Sequence, residues 1–253
     1  MNFSWLMQYD LLTFASLDST NTEALKLARA GVKGNYVIVA KDQKGGRGRN
    51  GKSWTNAPGN LYCSILLEVN LPLKTLPQIS FITANAVYES IELLKNKSNS
   101  PAKIALKWPN DVFIHGKKVA GILLESLNYS KKQYIVIGIG VNVVSIPKIN
   151  NYPVTSLIKE GIPVQNANEF LNILICKFDN LFNSWKKEPN FTDIRAAWLS
   201  RALNLNEKIT IMDGGNKVAG IFRDIDMNGS LLLELSDGEI KKFHAGEIIT
   251  EQI

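Results

Sequence analysis

Apolar residues along the chain repeat with two periods, and each period predicts its own kind of element. Between residues 75 and 95, Ile79, Ile82, Ala86, Val87, Ile91 and Leu94 recur at the spacing of one helix face. Phe170, Ile173, Leu174, Leu181 and Trp185 predict a second long helix over 166–186, and a shorter one follows near 192–202. Ser19-Thr20-Asn21-Thr22-Glu23 reads as a helix start. Thr20 and Glu23 have capping-box spacing, Ala24, Leu25, Leu27 and Ala28 follow, and Gly31 fits the stop. Short apolar runs predict strands at 36–40, 61–68, 104–107, 112–114, 119–124 and 134–143. His115-Gly116 turns a hairpin between 112–114 and 119–124.

The pattern changes at Glu207. Lys208-Ile209-Thr210-Ile211 alternates, and 218–222, 231–235 and 240–243 repeat the theme. Met227-Asn228-Gly229-Ser230 and Asp237-Gly238 supply turns between them. Four or five short strands in so short a stretch predict a small barrel, with a boundary near 204–206.

Composition narrows the class. Hydrophobic residues at 45% and charged residues at 21% are ordinary for a soluble globular chain. No stretch approaches the roughly 20 apolar residues of a membrane span. The N-terminus has no Lys/Arg-rich start and contains Asp10, so no signal peptide is expected. Cys63 and Cys176 are too few for a disulfide framework and read as thiols in a reducing cytosol, so a cytoplasmic protein is expected. His115 and His244 are the only histidines, which argues against His-rich zinc sites and His-based triads. The net charge of +6 is uneven: residues 41–53 carry +4 and residues 95–118 carry +5. Two cationic patches on a mildly acidic body point to an anionic ligand.

The first patch holds Gly46-Arg47-Gly48-Arg49-Asn50-Gly51, a letter-for-letter dinucleotide fingerprint. That fingerprint needs a helix directly behind it, and Pro58-Gly59 do not build one. The glycines let backbone wrap a ligand, the two arginines offer forks to carboxylate or phosphate, and Trp54 adds an apolar lid. Two such cations 4 Å apart repel by up to ~4 kcal/mol at a surface-like dielectric. The loop is therefore expected to be mobile when empty and to fold over an anion. The other reading is a solvated basic loop.

The second patch holds Lys107-Trp108-Pro109-Asn110-Asp111, a strand running into a Pro-fixed turn. Asp111 could hold a metal, accept a hydrogen bond from an amine, or form a structural salt bridge. Strict alternation places Lys118 with Ala120 on one face of the next strand and Val119 with Gly121 on the other. Gly138 and Gly140 leave a bare strand face for a flat ligand or a close-packed helix.

Together these segments resemble the biotin–protein ligases, the biotin–[acetyl-CoA-carboxylase] ligases. The resemblance runs through Ser19-Thr20-Asn21, Gln43 with Gly46-Arg47-Gly48-Arg49 and Trp54, and Lys107-Trp108-Pro109-Asn110-Asp111. It continues through Lys118-Val119-Ala120-Gly121-Ile122-Leu123-Leu124-Glu125, Gly138-Ile139-Gly140-Val141-Asn142, Thr155-Ser156-Leu157 and Gly246-Glu247. It implies an α/β (α+β) fold: a mixed-sheet catalytic domain over 1–204, shared with lipoate ligases, and a C-terminal SH3-like β-barrel over 205–253. It implies ATP-dependent formation of biotinyl-5′-AMP, then transfer of biotin to a lysine of a biotin carboxyl carrier protein domain of a carboxylase. Biotin is the substrate, and ATP comes with Mg2+.

The resemblance also implies roles. Ser19, Thr20, Asn21 and Gln43 would meet the biotin head group. The loop with Gly46, Arg47, Gly48 and Trp54 would close over the adenylate, with Arg49 on the phosphate. Lys107 and Lys118 would bind phosphate, Lys118 also the biotin carboxylate, with Gly121 in the same pocket. Asn142 would sit near the adenylate. Asp111 would orient the acceptor lysine or a magnesium-bound triphosphate. In one member of that family a tryptophan soon after the glycine-bearing strand stacks on adenine; 143–157 has none here, and Tyr152 is the candidate. No helix-turn-helix precedes Ser19, so a repressor role is not expected. A lipoate ligase is one alternative, and a nucleic-acid binder is another. The acidic excess of 207–253 disfavours the latter, and no specific nucleic acid or membrane partner is expected.

Overall fold

The computed structural model describes residues 8–149, 152–187 and 190–249; the apolar residues at 2–7 lie outside them. A seven-stranded mixed sheet forms the larger part. In chain order its elements are β1 (Asp10–Leu17), α1 (Thr20–Arg29), β2 (Tyr36–Gln43), β3 (Leu61–Val69), α2 (Leu76–Asn96), β4 (Ile104–Lys107), β5 (Asp111–Ile114), β6 (Lys117–Tyr129) and β7 (Lys132–Val141). The strand order is β1-β2-β3-β7-β6-β5-β4. Among the strands of this sheet the β1–β2 pair is parallel and the others are antiparallel; α1 connects the parallel pair. Helices α3 (Ala167–Lys187) and α4 (Phe191–Ser200) follow.

The sheet is covered on both faces, which explains the nearly continuous apolar runs of β3 and β7. Cys63, Ile65, Leu67, Ile135, Ile137 and Ile139 join the core beneath α2 and α3. Leu66, Tyr134 and Val136 join Ala24 and Ala28 of α1 on the other face. Strand β1 escaped the sequence reading because it is an edge strand, mostly exposed, and lacks a buried apolar run.

Two local expectations are corrected. The α1 N-cap is Ser19, and no side chain caps the helix. Thr20 turns its hydroxyl to Gln43 and Ser64 instead of closing a box with Glu23. Strict alternation also fails in β6. Val112 pairs with Ala120, but Phe113 pairs with Lys118, so Val119 is a bulge residue. The bulge brings Lys118 and Gly121 to the same side; a Cβ on Gly121 would lie 3.3 Å from Lys118 Nζ.

Where the pattern predicts a small barrel, five antiparallel strands form the second unit. They are β8 (Lys208–Asp213), β9 (Asn216–Ile225), β10 (Leu231–Glu234), β11 (Ile240–Phe243) and β12 (Glu247–Ile249), ordered β11-β10-β9-β8-β12. This sheet is fused to the larger one by packing. Phe81 of α2 meets Phe191 and Trp198 of α4 edge-on, at 5.5 and 5.3 Å between ring centres. Trp198 meets Phe222 of β9 at 6.5 Å. Each such pair adds about 0.5–1.5 kcal/mol beyond burial. Trp108 Nε1 donates to Gly229 O at 3.0 Å, and Gln78 Nε2 donates to Met227 O at 2.9 Å. Arg195 pairs with Asp224.

On α3, buried Asp179 accepts from Tyr9 Oη at 2.5 Å. Burial raises the Asp179 carboxyl above its usual range, and the tyrosine bond offsets only part of this. The folded state therefore holds this proton more tightly than the unfolded chain. Its contribution is full below the unfolded pKa and fades as pH rises through the folded one. Asp179→Asn is expected to gain stability relative to the parent as pH rises above the ordinary carboxylate range. Urea midpoints below and above that range test it; a constant difference rejects it.

Candidate active site

One cavity of about 560 Å³ opens on the α1 side of the sheet. Its walls come from the α1 N-terminus, the 47–55 loop, the 107–111 turn, β6, β7, Tyr152-Pro153 and the C-terminal sheet. The loop is a small hairpin. Arg47 bridges Ser53, Gly48 N donates to Lys52 O at 2.7 Å, and Trp54 N donates to Gly46 O at 2.8 Å. Asn50 and Gly51 take the left-handed conformation at its tip, with φ of 54° and 74°. Asn-Gly is the preferred pair for such a turn, so these two letters carry the signal for the hairpin.

The two bare glycines of β7 receive side chains of the protein itself. A Cβ on Gly138 would lie 2.2 Å from Asn21 Oδ1. A Cβ on Gly140 would lie 2.4 Å from the Trp54 ring, and one on Gly121 would lie 2.9 Å from it. The indole thus lies flat on the sheet. Its Nε1 is buried without a hydrogen-bond partner among the described residues.

At the α1 end, polar side chains form a directed chain. Asn21 Nδ2 donates to Glu125 Oε2 at 2.7 Å. Ser64 Oγ lies 2.6 Å from Asn21 Oδ1 and 2.8 Å from Thr20 Oγ1. Gln43 Oε1 accepts from Thr20 N at 2.8 Å and from Thr20 Oγ1 at 3.1 Å. With its oxygen so engaged, Gln43 has its Nε2 donors left over. Asn21 Oδ1 can only accept, so it takes the Ser64 proton. The Thr20 proton then goes to Ser64 or Gln43, and Thr20 Oγ1 keeps acceptor capacity. An acceptor and a donor stand side by side at this end of the cavity.

At the other end, cations dominate. Arg47, Arg49, Lys52, Lys107 and Lys118 line the cavity, against Asp111 and Glu247. Lys118 pairs with Asp111 Oδ2 at 2.8 Å, and its ammonium lies 5.5 Å from the Trp54 ring centre and 5.4 Å from that of Tyr152. The 153–155 segment fixes Tyr152 there: Lys118 N donates to Pro153 O and Thr155 N to Lys118 O, both at 3.0 Å. Lys107 is only 8% exposed and faces the Phe113 ring at 5.3 Å. Burial holds its ammonium, and the Arg49 guanidinium, below their ordinary ranges; Asp111 and Glu247 oppose this. Arg49 donates to Asn110 Oδ1 at 3.3 Å, and Lys52 reaches Glu247 of the C-terminal sheet at 2.5 Å. Asp111 Oδ1 is buried with no partner among the described residues. This end suits a polyanion that would relieve mutual repulsion among the cations.

Most of the expected residues meet here. Ser19, Thr20, Asn21, Gln43, Arg47, Gly48, Arg49, Trp54, Lys107, Asp111, Lys118, Gly121 and the candidate Tyr152 all line the cavity. Gly46 and Asn142 do not. Gly46 sits behind Trp54, where a Cβ would meet Trp54 O at 2.5 Å. Asn142 is buried and pins the following segment, donating to Thr155 O at 3.0 Å. Glu125, Ser64 and Glu247 were given no role in the sequence reading. Ser64 and Glu125 sit inside apolar or alternating strands, and Glu247 is distant in sequence.

Residues 13–142 match the biotin/lipoate A/B protein ligase family, and residues 205–250 match the biotin protein ligase C-terminal domain. The chain belongs to the biotin/lipoate protein ligase family. Within that family it is 37% identical over 228 residues to a biotin–[acetyl-CoA-carboxylase] ligase of Paracoccus denitrificans, covering 87% of this chain and 92% of that one. It is 32% identical over 252 residues to a bifunctional ligase/repressor of Bacillus subtilis, covering 96% of this chain and 74% of that one. The biotin protein ligase of Aquifex aeolicus, solved with biotin and ATP, superimposes with a TM-score of 0.78 at 28% identity, covering 95% of this chain and 97% of that one.

In this ligase the glycine cradle sets where Trp54 lies. Gly140→Ala is expected to push the indole off the sheet. In protein labelled with 5-fluorotryptophan, the fluorine resonance that Trp54→Phe removes should move in Gly140→Ala. An unmoved resonance rejects the cradle.

Proposed function

We propose that this chain is an ATP-dependent biotin–protein ligase that forms biotinyl-5′-AMP and passes the biotinyl group to a lysine of a carboxylase carrier domain. One observation carries the reading: a single cavity joins a paired acceptor and donor to a cluster of cations. A ureido ring offers adjacent N–H and C=O groups that match Thr20 Oγ1 and Gln43 Nε2, with Ser19 beside them. A dithiolane ring offers neither, so the pocket favours biotin over lipoate. The relatives named biotin–[acetyl-CoA-carboxylase] ligase, and the Aquifex aeolicus structure with biotin and ATP, support both substrates.

In the first half-reaction, a biotin carboxylate oxygen attacks the α-phosphorus of ATP, and the bond to pyrophosphate breaks. Charge builds on the phosphoryl oxygens and the leaving group, where Lys118, Lys107 and Arg49 stand. Lys118 also holds the two anionic reactants together. Trp54 and the 46–54 hairpin keep water from the mixed anhydride. In the second half-reaction, the carrier amine attacks the acyl carbon and AMP leaves. Asp111 Oδ1, buried and unpartnered, is the acceptor for that amine's N–H. Magnesium arriving with the nucleotide would find the same oxygen and would offset triphosphate charge. Tyr152 covers the nucleotide side of Lys118. Residues 1–204 act as the catalytic domain, and 205–253 as a smaller domain that closes the cavity through Glu247.

Biotin with ATP should release pyrophosphate, and lipoate with ATP should not. Tight lipoate binding without biotin binding in calorimetry overturns the reading. Lys118→Ala should slow biotin-dependent pyrophosphate release by about 10²–10³-fold in a folded protein. Unimpaired release returns Lys118 to an ordinary edge lysine. Arg49→Ala should fail to form the adenylate or let it escape, and normal rates of biotin transfer would remove Arg49 from the mechanism.

A further inference from the structure

Glu125 lies on β6 outside the cavity lining and has no role in the two half-reactions. Its Oε2 nevertheless accepts two hydrogen bonds, from Asn21 Nδ2 and from Arg47 NH2, each at 2.7 Å. These partners belong to different parts of the site: Asn21 is in the floor of the head-group pocket, and Arg47 is in the hairpin that closes it.

A carboxylate only accepts, so Glu125 dictates which end of the Asn21 amide faces it. The nitrogen turns to Glu125 and the oxygen turns to Ser64. The amide lies flat on the bare backbone of Gly138, and Asn21 Nδ2 also reaches Leu123 O at 3.4 Å. Ser64 must then give its one proton to Asn21 Oδ1. With the amide reversed, Asn21 would donate to Ser64, and the Ser64 proton would point at Thr20 Oγ1. The acceptor capacity that the pocket offers to a ligand N–H would be partly used up.

We propose that Glu125 is a positioning residue that sets the donor–acceptor direction of the Asn21–Ser64–Thr20–Gln43 chain, and thereby the pocket's preference for a ligand with adjacent N–H and C=O groups. Through Arg47 it couples that setting to closure of the hairpin. The inference rests on the biotin reading of the cavity.

Calorimetry with biotin on the full chain tests it. Both donors meet the one Oε2, so a glutamine could keep them with its oxygen, whereas Glu125→Leu removes the acceptor that orients Asn21; biotin binding by Glu125→Leu should weaken about 10- to 100-fold. In steady state the biotin KM should rise while turnover at saturating biotin changes less than about threefold. The exchange Asn21→Asp with Glu125→Gln keeps shape and net charge. In that double variant the introduced glutamine donates to the introduced aspartate, the aspartate accepts from Ser64, and Arg47, which meets the same Oε2 in the parent, must turn to the glutamine's oxygen. It should recover most of the affinity that Asn21→Asp alone loses, which a purely structural role would not.

Parent-like binding by Glu125→Leu overturns the proposal, as does an exchange variant no better than Asn21→Asp alone. If Glu125→Leu does not fold, Asn21→Asp alone replaces it. That variant sets two carboxylates together, and adding Glu125→Gln must restore binding; no restoration overturns the proposal. Absence of biotin binding by the parent chain is a separate result. It overturns the substrate reading and with it the basis of this inference.

Discussion

Cations held together in a half-buried cavity repel one another, and much of the site's architecture answers that constraint. At an effective dielectric of ~20, two unit charges 4 Å apart repel by about 4 kcal/mol. The protein lowers this cost in three ways. Asp111 sits on Lys118, Glu247 reaches Lys52, and Glu125 takes Arg47 at the rim. The faces of Trp54 and Tyr152 flank the Lys118 ammonium. Lys107 and Arg49 have depressed proton affinity, because burial outweighs the pull of Asp111 and Glu247. An anionic ligand would supply the remaining negative charge.

That arrangement requires two sheets. Glu247 comes from the C-terminal sheet, while its cationic partners come from the larger unit. The relative placement is held by aromatic packing around Phe81 and Trp198 and by Trp108, whose indole bonds the 226–230 turn. Trp108 adjoins Lys107 in sequence, so the contact that joins the sheets also orients a cation of the site. The smaller unit is part of the cavity wall.

Much of this was legible in the sequence, and the failures have physical causes. Helices α2 and α3 have one apolar face each, so periodicity finds them. Strand β1 lies at the sheet edge with little buried on either side, and periodicity misses it. The motif segments gather in one cavity because they lie at a helix start, at strand ends and on neighbouring strand faces on the same side of the sheet. Charge counting was less discriminating. Lys41, Lys44, Lys95, Lys97, Lys103 and Lys117 swell the two basic segments but do not line the cavity. Net charge along a stretch cannot tell which side chains point inward. Nor could the sequence choose an occupant for the bare strand at Gly138 and Gly140, since flat ligand, helix and indole all satisfy the same lack of a Cβ. The polar chain through Ser64 and Glu125 was invisible because it joins residues more than 40 positions apart.

The bulge at Val119 carries a consequence for how such a chain can diverge. Lys118 and Gly121, three positions apart, face the same cavity only because the strand bulges at Val119. Side chains nearby could be exchanged among apolar types with modest effect, since Val119 and Ala120 are buried in an ordinary core. Loss of the bulge with every residue kept would be different in kind. Strict alternation through Val119 would set Lys118 and Gly121 on opposite faces and take one of them out of the cavity. In this stretch the face each side chain reaches is set by the bulge as much as by the letters, and a partner strand that forced regular pairing is the change the site can least absorb.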